Sequence, residues 1–343
     1  ATLPMGCITV GEKPTLRRLV DRIRNLTAAG GLDEVVTYSF IGDKVFDALR
    51  LEPSHPMRRA IVISNPIRED QNVMRTTLLP GLLETLSYNA SRQVEDMGIF
   101  EVGRIFVPRG LPVVELPEER TFLGIAGMGH VTPRSWNMPR LPYDFFYIKG
   151  VVERILLDIG VREDAVIFEP RKHPFLHPNR QAAVLLDVRP GEGARSEEKE
   201  NGIEIGYIGE LHPEVVEAFK ISSPATACEL DLDKALPYLD PVPKFVSIPK
   251  YPATKRDLAL VVKEDVSART VLKLIKHAGG DLLEDVRLFD LYTGNPIPAG
   301  EKSLAFSLTY RAHDRTLTDQ EVDEIQNKIE AELAKRIGGR KRL

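Results

Sequence analysis

Cysteine is nearly missing from this chain of 343 residues: Cys7 and Cys228 stand far apart and form no C-x-x-C. That usage excludes a disulfide framework and a thiolate zinc site, and it points to a reducing compartment, with cytoplasm the default. Long apolar runs are missing as well, so no segment reads as a membrane span. The opening stretch ATLPMGCITVGEKP has no initiator methionine and neither the basic nor the apolar region of a signal peptide. The expectation is therefore a chain that starts partway through a longer protein. No G-x-S-x-G elbow is present and Cys228 has no evident base beside it, so covalent catalysis finds no support. Neither charge sign dominates, with 46 Lys and Arg against 50 Asp and Glu. A 43% hydrophobic content at this length implies an ordinary globular protein of two or three domains with real cores.

Periodicity supplies the elements. Leu16, Leu19, Val20, Ile23 and Leu26 recur at helical spacing, with Arg17, Arg18, Asp21, Arg22 and Arg24 on the other side and Gly30-Gly31 as a stop. Strands are expected at 34–41, 60–64, 97–106, 121–126, 181–188 and 203–209, and helices near 79–92, 147–159 and 213–219. Consecutive strands joined by short loops pair antiparallel, so the spacing predicts an α+β fold and not a doubly wound parallel sheet. The charged, glycine-containing stretch 189–201 reads as a solvated hairpin loop.

Two features could carry chemistry. His173 and His177 are four apart, as in helical zinc sites, and His212 could complete a set, but Pro174 and Pro178 forbid a regular helix through them. Turn or interface roles are expected, with no metal. Arg75, in VMRTTLLPGLL, reads either as a functional group in a cleft or as a buried anchor for a helix terminus.

Beyond a hinge rich in proline (Pro241, Pro243, Pro249, Pro252) the last hundred residues read as one module. Leu258, Leu260 and Val262 alternate in a strand at 257–262, and Ser267 caps a helix carrying Val271, Leu272 and Ile275 that stops at Gly279-Gly280. Strands at 285–292 and 302–311 follow. Thr318 with Glu321 forms a capping box ahead of the stripe Val322, Ile325, Ile329 and Leu333, leaving 340–343 for a short final strand. The order β-α-β-β-α-β is that of a ferredoxin-like split βαβ domain with one open sheet face. On that face the third strand offers small polar residues and Arg311, which suits a nucleic acid approaching the backbone. From Lys244 onward eighteen basic residues face fifteen acidic ones, a bias that on charge alone a solvated charged surface explains better than a nucleic-acid grip.

The blocks NPIREDQNVMRTTLLPGLLETLSYN (65–89) and IFEVGRIF (99–106) closely resemble the β subunits of bacterial phenylalanine-tRNA ligases. GGLDEVVTYSF, FLHPNRQA, IGYIGELHPEV, YPATKRDLALVV, FDLYTGNPIPAGEKSLAF and DRTLTDQEV fall in the same family's order, so the resemblance runs nearly end to end. It implies the C-terminal part of a longer subunit: a class II synthetase-like core with an antiparallel sheet at 1–243 and a ferredoxin-fold anticodon-binding domain at 244–343. It implies as partners a catalytic α subunit, tRNA(Phe) and a second αβ pair in a heterotetramer, with ATP and magnesium used by the whole enzyme and no cofactor held by this part.

The same resemblance implies a non-catalytic copy, and three motifs bear on that. Gly31-Leu32 through Val35-Val36 is similar to class II motif one, with Tyr38 where the proline should stand. Gly103-Arg104-Ile105-Phe106-Val107 has valine where the catalytic sibling's G-R-V-Y-R ends on a phosphate-holding arginine. Gly127-Met128-Gly129 leads to Thr132 and Gly191-Glu192-Gly193 to Ser196, so neither completes the G-x-G-x-x-R of motif three. Each lost guanidinium removes a charge-assisted contact of roughly 1.5 to 3 kcal/mol, so activation of ATP is not expected here. The alternatives are a self-sufficient class II ligase and a structural platform that never touches RNA. For the anticodon contact the candidates are Tyr251, Lys255 and Arg256 ahead of the first tail strand, Tyr292 after the second, and Arg311, His313 and Arg315 after the third. In the competing reading Tyr251 and Tyr292 pack under loops while Arg256 pairs with Asp257 or Asp290. Leu16, Leu19, Ile23 and Leu26 are the candidate subunit interface.

Overall fold

The structure, a computed structural model, describes residues 6, 11, 13–187, 202–239, 245 and 247–342. Cys7, the loop 189–201, the Gly191–Ser196 motif and the hinge residues Pro241 and Pro243 lie outside that set. The chain divides into two compact units, Ala1–Pro243 and Lys244–Leu343.

In the first unit the elements run α1 (Thr15–Ala29), β1 (Asp33–Glu34), β2 (Phe40–Ile41), α2 (Val45–Ala48), β3 (Val73–Met74), α3 (Leu79–Ala90), β4 (Met97–Val107), β5 (Glu118–Met128) and α4 (Phe145–Asp158). Then come β6 (Val166–Glu169), β7 (Leu176–Leu186), β8 (Ile203–Leu211), α5 (Pro213–Ala218), β9 (Ala225–Asp231) and α6 (Leu232–Ala235). Seven strands form one sheet in the order β1-β4-β5-β9-β8-β7-β6, antiparallel throughout except where β1 meets β4. The fold is α+β, as the close strand spacing predicts.

Side-chain alternation sends successive residues of each strand to opposite cores. Phe100, Leu123, Ile125, Cys228 and Leu230 meet α1 and α4 on one face, while Ile99, Ala126, Met128, Tyr207 and Ala227 meet α3 on the other. Covering both faces erases the period-two signal, which is why β9, buried at all seven positions, was not legible as a strand. β6 is four residues long, too short for its alternation to stand out. The strand expected at 34–41 is broken into β1 and β2, because the backbone between them turns aside to bring Thr37 onto Glu101. The stretch 60–64 forms no strand and keeps a single bridge, Val62 to Val73.

In the second unit the chain runs β10 (Thr254–Lys263), α7 (Ala268–Gly279), β11 (Leu283–Tyr292), β12 (Glu301–Tyr310), α8 (Asp319–Ile337) and β13 (Arg340–Lys341), with sheet order β11-β12-β10-β13. Ser267 Oγ accepts from Thr270 N at 3.1 Å to start α7. At α8 the predicted capping box is closed in both directions: Thr318 Oγ1 accepts from Glu321 N at 3.3 Å, and Glu321 Oε2 accepts from Thr318 N at 2.9 Å. Leu258, Leu260, Leu304, Phe306, Leu308 and Tyr310 bury one sheet face under Val271, Ile275, Val322, Ile329 and Leu333. Among the described residues of this unit, no helix covers the other face.

Candidate functional site

On the α3 side of the first sheet, a polar network sits where side chains would otherwise be apolar. Arg75, 4% exposed, donates Nε to Arg104 O at 2.7 Å and Nη1 to Glu101 Oε1 at 2.9 Å and to Thr37 Oγ1 at 3.1 Å. Thr37 Oγ1 in turn donates to Glu101 Oε2 at 2.6 Å. A buried ion pair of this kind is strongly held only because each member is satisfied. Gly103 makes the approach possible, since an added Cβ would stand 2.5 Å from Arg75 Nη2. Of the two roles expected for Arg75 the structure shows the buried anchor, but it ties together the 37–39 segment and β4, not a helix end.

The helix end has its own anchor, which the sequence reasoning missed. Glu229, on β9 and 1% exposed, accepts from the backbone N–H of Leu78 at 2.5 Å and of Leu79 at 3.1 Å, from Thr77 Oγ1 at 2.8 Å and from Tyr207 OH at 2.7 Å. It meets the start of α3, where unpaired N–H groups and the helix dipole favour negative charge. Burial raises its pKa, and the hydrogen bonds from Tyr207, Thr77, Leu78 and Leu79 pull against that rise. Burial pushes the Tyr207 hydroxyl well above its ordinary value, with the Glu229 charge adding to it. A glutamate inside the otherwise apolar run ATACEL was the available signal. Cys228 next to it is buried and its thiol is pushed up by burial, so it is no nucleophile.

The motif positions fill structural roles. Arg104 projects outward to pair with Glu119, and the backbone of Phe106 donates to Arg75 O at 2.9 Å. Gly129 turns at φ 71, and Thr132 Oγ1 pins the following loop by accepting from Leu141 N at 2.9 Å. Among the described residues no three His, Cys, Asp or Glu side chains gather as a metal set. His177 Nδ1 accepts from Asn179 N and His212 Nδ1 caps α5 by accepting from Glu214 N at 3.2 Å. His173 lies against Tyr207 and Phe175, ring centres 5.1 and 5.6 Å away, and burial drives its pKa down to about 4.

The candidate interface stripe turns inward. Leu19 and Ile23 are buried in the core shared with α4, and Leu16 and Leu26 pack against that core, so the periodicity of α1 reports packing within this chain. Strongly exposed apolar side chains of this unit lie elsewhere, among them Val36, Tyr38, Val62 and Ile67, each at least 73% exposed.

In the tail, register assigns the open face. Four rows cross it: Lys255, Thr309 and Asp285; Asp257, Ser307 and Arg287; Ala259, Ala305 and Asp290; Val261, Ser303 and Tyr292. Arg340 extends the last row. Lys255 and Arg256 lie within β10, not ahead of it, and so point to opposite faces. Arg256 pairs with Asp319 at 2.7 Å on the helix side, in place of the Asp257 or Asp290 that proximity suggested. Arg311 bridges Glu284 Oε2 and Tyr251 O at 2.9 and 2.8 Å. Arg315 pairs with Asp314 and Glu321, holding the Glu321 carboxyl down to about 2, and His313 is exposed in the loop between. These residues gather at one end of the sheet. Tyr292 stands at the other, eight residues along β12 and roughly 25 Å away. Its hydroxyl donates to Asn295 O at 2.6 Å, and the Arg342 guanidinium sits 5.1 Å from its ring centre. Arg340 and Arg342 are not legible in the sequence because only strand pairing puts them beside Tyr292, while Arg287 stands two rows away on the same strand.

A helix-backed sheet whose open face mixes small, charged and aromatic side chains defines a ferredoxin-like module. Residues 249–342 match the family described as "Ferredoxin-fold anticodon binding domain". Residues 1–232 match "Phenylalanyl tRNA synthetase beta chain CLM domain", and the chain belongs to the phenylalanyl tRNA synthetase beta chain family. The phenylalanine–tRNA ligase beta subunit of Moorella thermoacetica is 44% identical over 98% of this chain and 40% of its own length. That of Symbiobacterium thermophilum is 40% identical over 90% of this chain and 33% of its own. The chain thus spans about two fifths of the length of the curated relatives it matches.

Proposed function

We propose that this chain is a non-catalytic portion of a phenylalanine-tRNA ligase β subunit. Residues 1–243 form a synthetase-like platform for the catalytic α subunit, and 244–343 form the domain that contacts tRNA(Phe) near its anticodon. The observation that carries the reading is the tail sheet face where the small, half-exposed Ala305, Ser307 and Thr309 lie between Lys255 and Arg287, with Tyr292 farther along and Arg340, paired with Glu301, beside its row. Small residues admit a single strand closely, cations meet its phosphates, and the tyrosine ring offers a stacking surface for a base. Asp257, Asp285 and Asp290 share that face and repel phosphate, which limits the affinity and favours contact through particular rows.

In the assembled enzyme two such αβ pairs work in the cytoplasm, with ATP and magnesium bound in the α subunits. Against a self-sufficient ligase stands the Arg75 guanidinium, committed to Glu101, Thr37 and Arg104 and so withheld from a phosphate. Titration of tRNA(Phe) against the chain with and without residues 247–343 tests the reading. Deletion is expected to remove salt-dependent binding whose slope is about −0.7 per phosphate contact. Unchanged binding would overturn the assignment, and ATP–pyrophosphate exchange by this chain alone would restore the ligase alternative.

A further inference from the structure

Along the outer side of α3 runs a groove of about 280 Å³, walled by Val36, Tyr38 and Phe40 on one side and Gly81, Thr85 and Tyr88 on the other. Glu84 lines the same α3 side, and beyond Glu84 and Tyr88 the groove continues toward Ala48 and Phe219. Although the Glu84 side chain reaches water, enough protein surrounds its carboxyl to raise its pKa, with the Asp70 charge adding to the effect.

Both nearby arginines are committed. Arg68 holds Asp70 through two bonds of 2.9 and 2.8 Å, and Arg92 lies 3.4 Å over the Tyr88 ring while donating to Tyr88 O at 3.0 Å. Lys44 lines the continuation without forming an ion pair, and among the described residues Glu84 has neither a hydrogen bond nor an ion pair. The walls nevertheless expose their aromatic and apolar surface: Val36 is 87% and Tyr38 75% exposed.

A carboxylate set among aromatic rings complements a guanidinium. The plane can accept two parallel contacts from the carboxylate, the charge can lie over the rings, and the aliphatic stem can cover Val36 and Phe40. Arg92 over Tyr88 shows that a guanidinium stacks on one of these rings. We propose that the groove seats an arginine borne on an apolar segment of the catalytic α subunit, with its guanidinium on Glu84. This rests on the assembly reading above and names the chemistry of one contact within it.

The test measures association of this chain with the catalytic α subunit over a range of salt, for wild type, Glu84→Gln, Glu84→Lys and Tyr88→Ala, with thermal unfolding of each variant as the folding control. Glu84 lies on the outer face of α3, so its variants are expected to unfold with wild type. Glu84→Gln should weaken association about 30-fold and flatten its salt dependence, and Glu84→Lys should weaken it further. Association of Glu84→Lys within twofold of wild type overturns the inference while leaving the assembly reading intact. Absence of association by wild type overturns the assembly reading and this inference together. If Glu84→Lys instead destabilises a full-length β subunit while its affinity for the α subunit is unchanged, the groove holds another segment of the same polypeptide, and the inference also falls.

Discussion

At Glu229 a buried carboxylate is satisfied entirely by neutral donors, two of them backbone N–H groups at the start of α3. Replacing it with alanine strands those donors and the hydroxyls of Thr77 and Tyr207. Glu229→Ala is therefore expected to cost about 3 to 5 kcal/mol, read as a fall in the denaturation midpoint of the first unit. Glu229→Gln should cost less, because one acceptor oxygen remains. His173 gives a pH signature of its own. Its pKa falls from 6.5 in the unfolded chain to about 4 in the folded one, so between those values the unfolded chain binds more protons. Stability should be flat above pH 6.5 and decline as pH drops toward 4, and His173→Phe should flatten that decline in a series of melts. Residues of this kind are hard to foresee, since nothing local to Glu229 or His173 shows that Tyr207 lies between them.

The elements differ in how much of their own logic they carry. α8 holds its start signal within four residues, and Thr318→Ala is expected to cost about 1 kcal/mol, a lowering of several degrees in the melting of the tail. Glu321, held down to about 2 by Arg315 and the Thr318 groups, supports α8 above its ordinary pKa of 4.5. That support is lost as pH falls from 4.5 toward 2, and amide exchange in the first turn should report it. β9 carries no such local signal, because a strand covered on both faces has no alternation to read. α1 misled in the opposite sense: its stripe is real, yet Leu19 and Ile23 spend it on this chain's own core. On β11 and β13 the functional prospects come from pairing, with Tyr292, Arg340 and Arg342 assembled from distant positions. Tyr292→Ala is expected to weaken tRNA binding by about 1 to 3 kcal/mol with little change in salt slope. Arg340→Ala should lower the slope by about 0.7 if that side chain meets a phosphate, and binding titrations at several salt concentrations separate the two.

At the scale of the whole molecule, the chain falls into two units with separate cores. Because Leu258, Phe306, Tyr310, Ile275 and Leu333 close a core wholly within the second unit, residues 247–343 are expected to fold cooperatively alone. A single melting transition of that fragment with native-like circular dichroism would show it. By itself the sequence determined the α+β class, the helices with caps and stripes, the ferredoxin-like order of the tail and the family, since each is written in short-range spacing or in contiguous blocks. Only the tertiary structure decided that Arg75 serves Glu101, that Glu229 anchors α3, that Arg256 turns to Asp319, and that Tyr292 stands an entire strand away from Arg311. The physical reason is one of range: periodicity records which face a residue occupies, while the partner it meets there is set by strand register and by how closely helices approach the sheet.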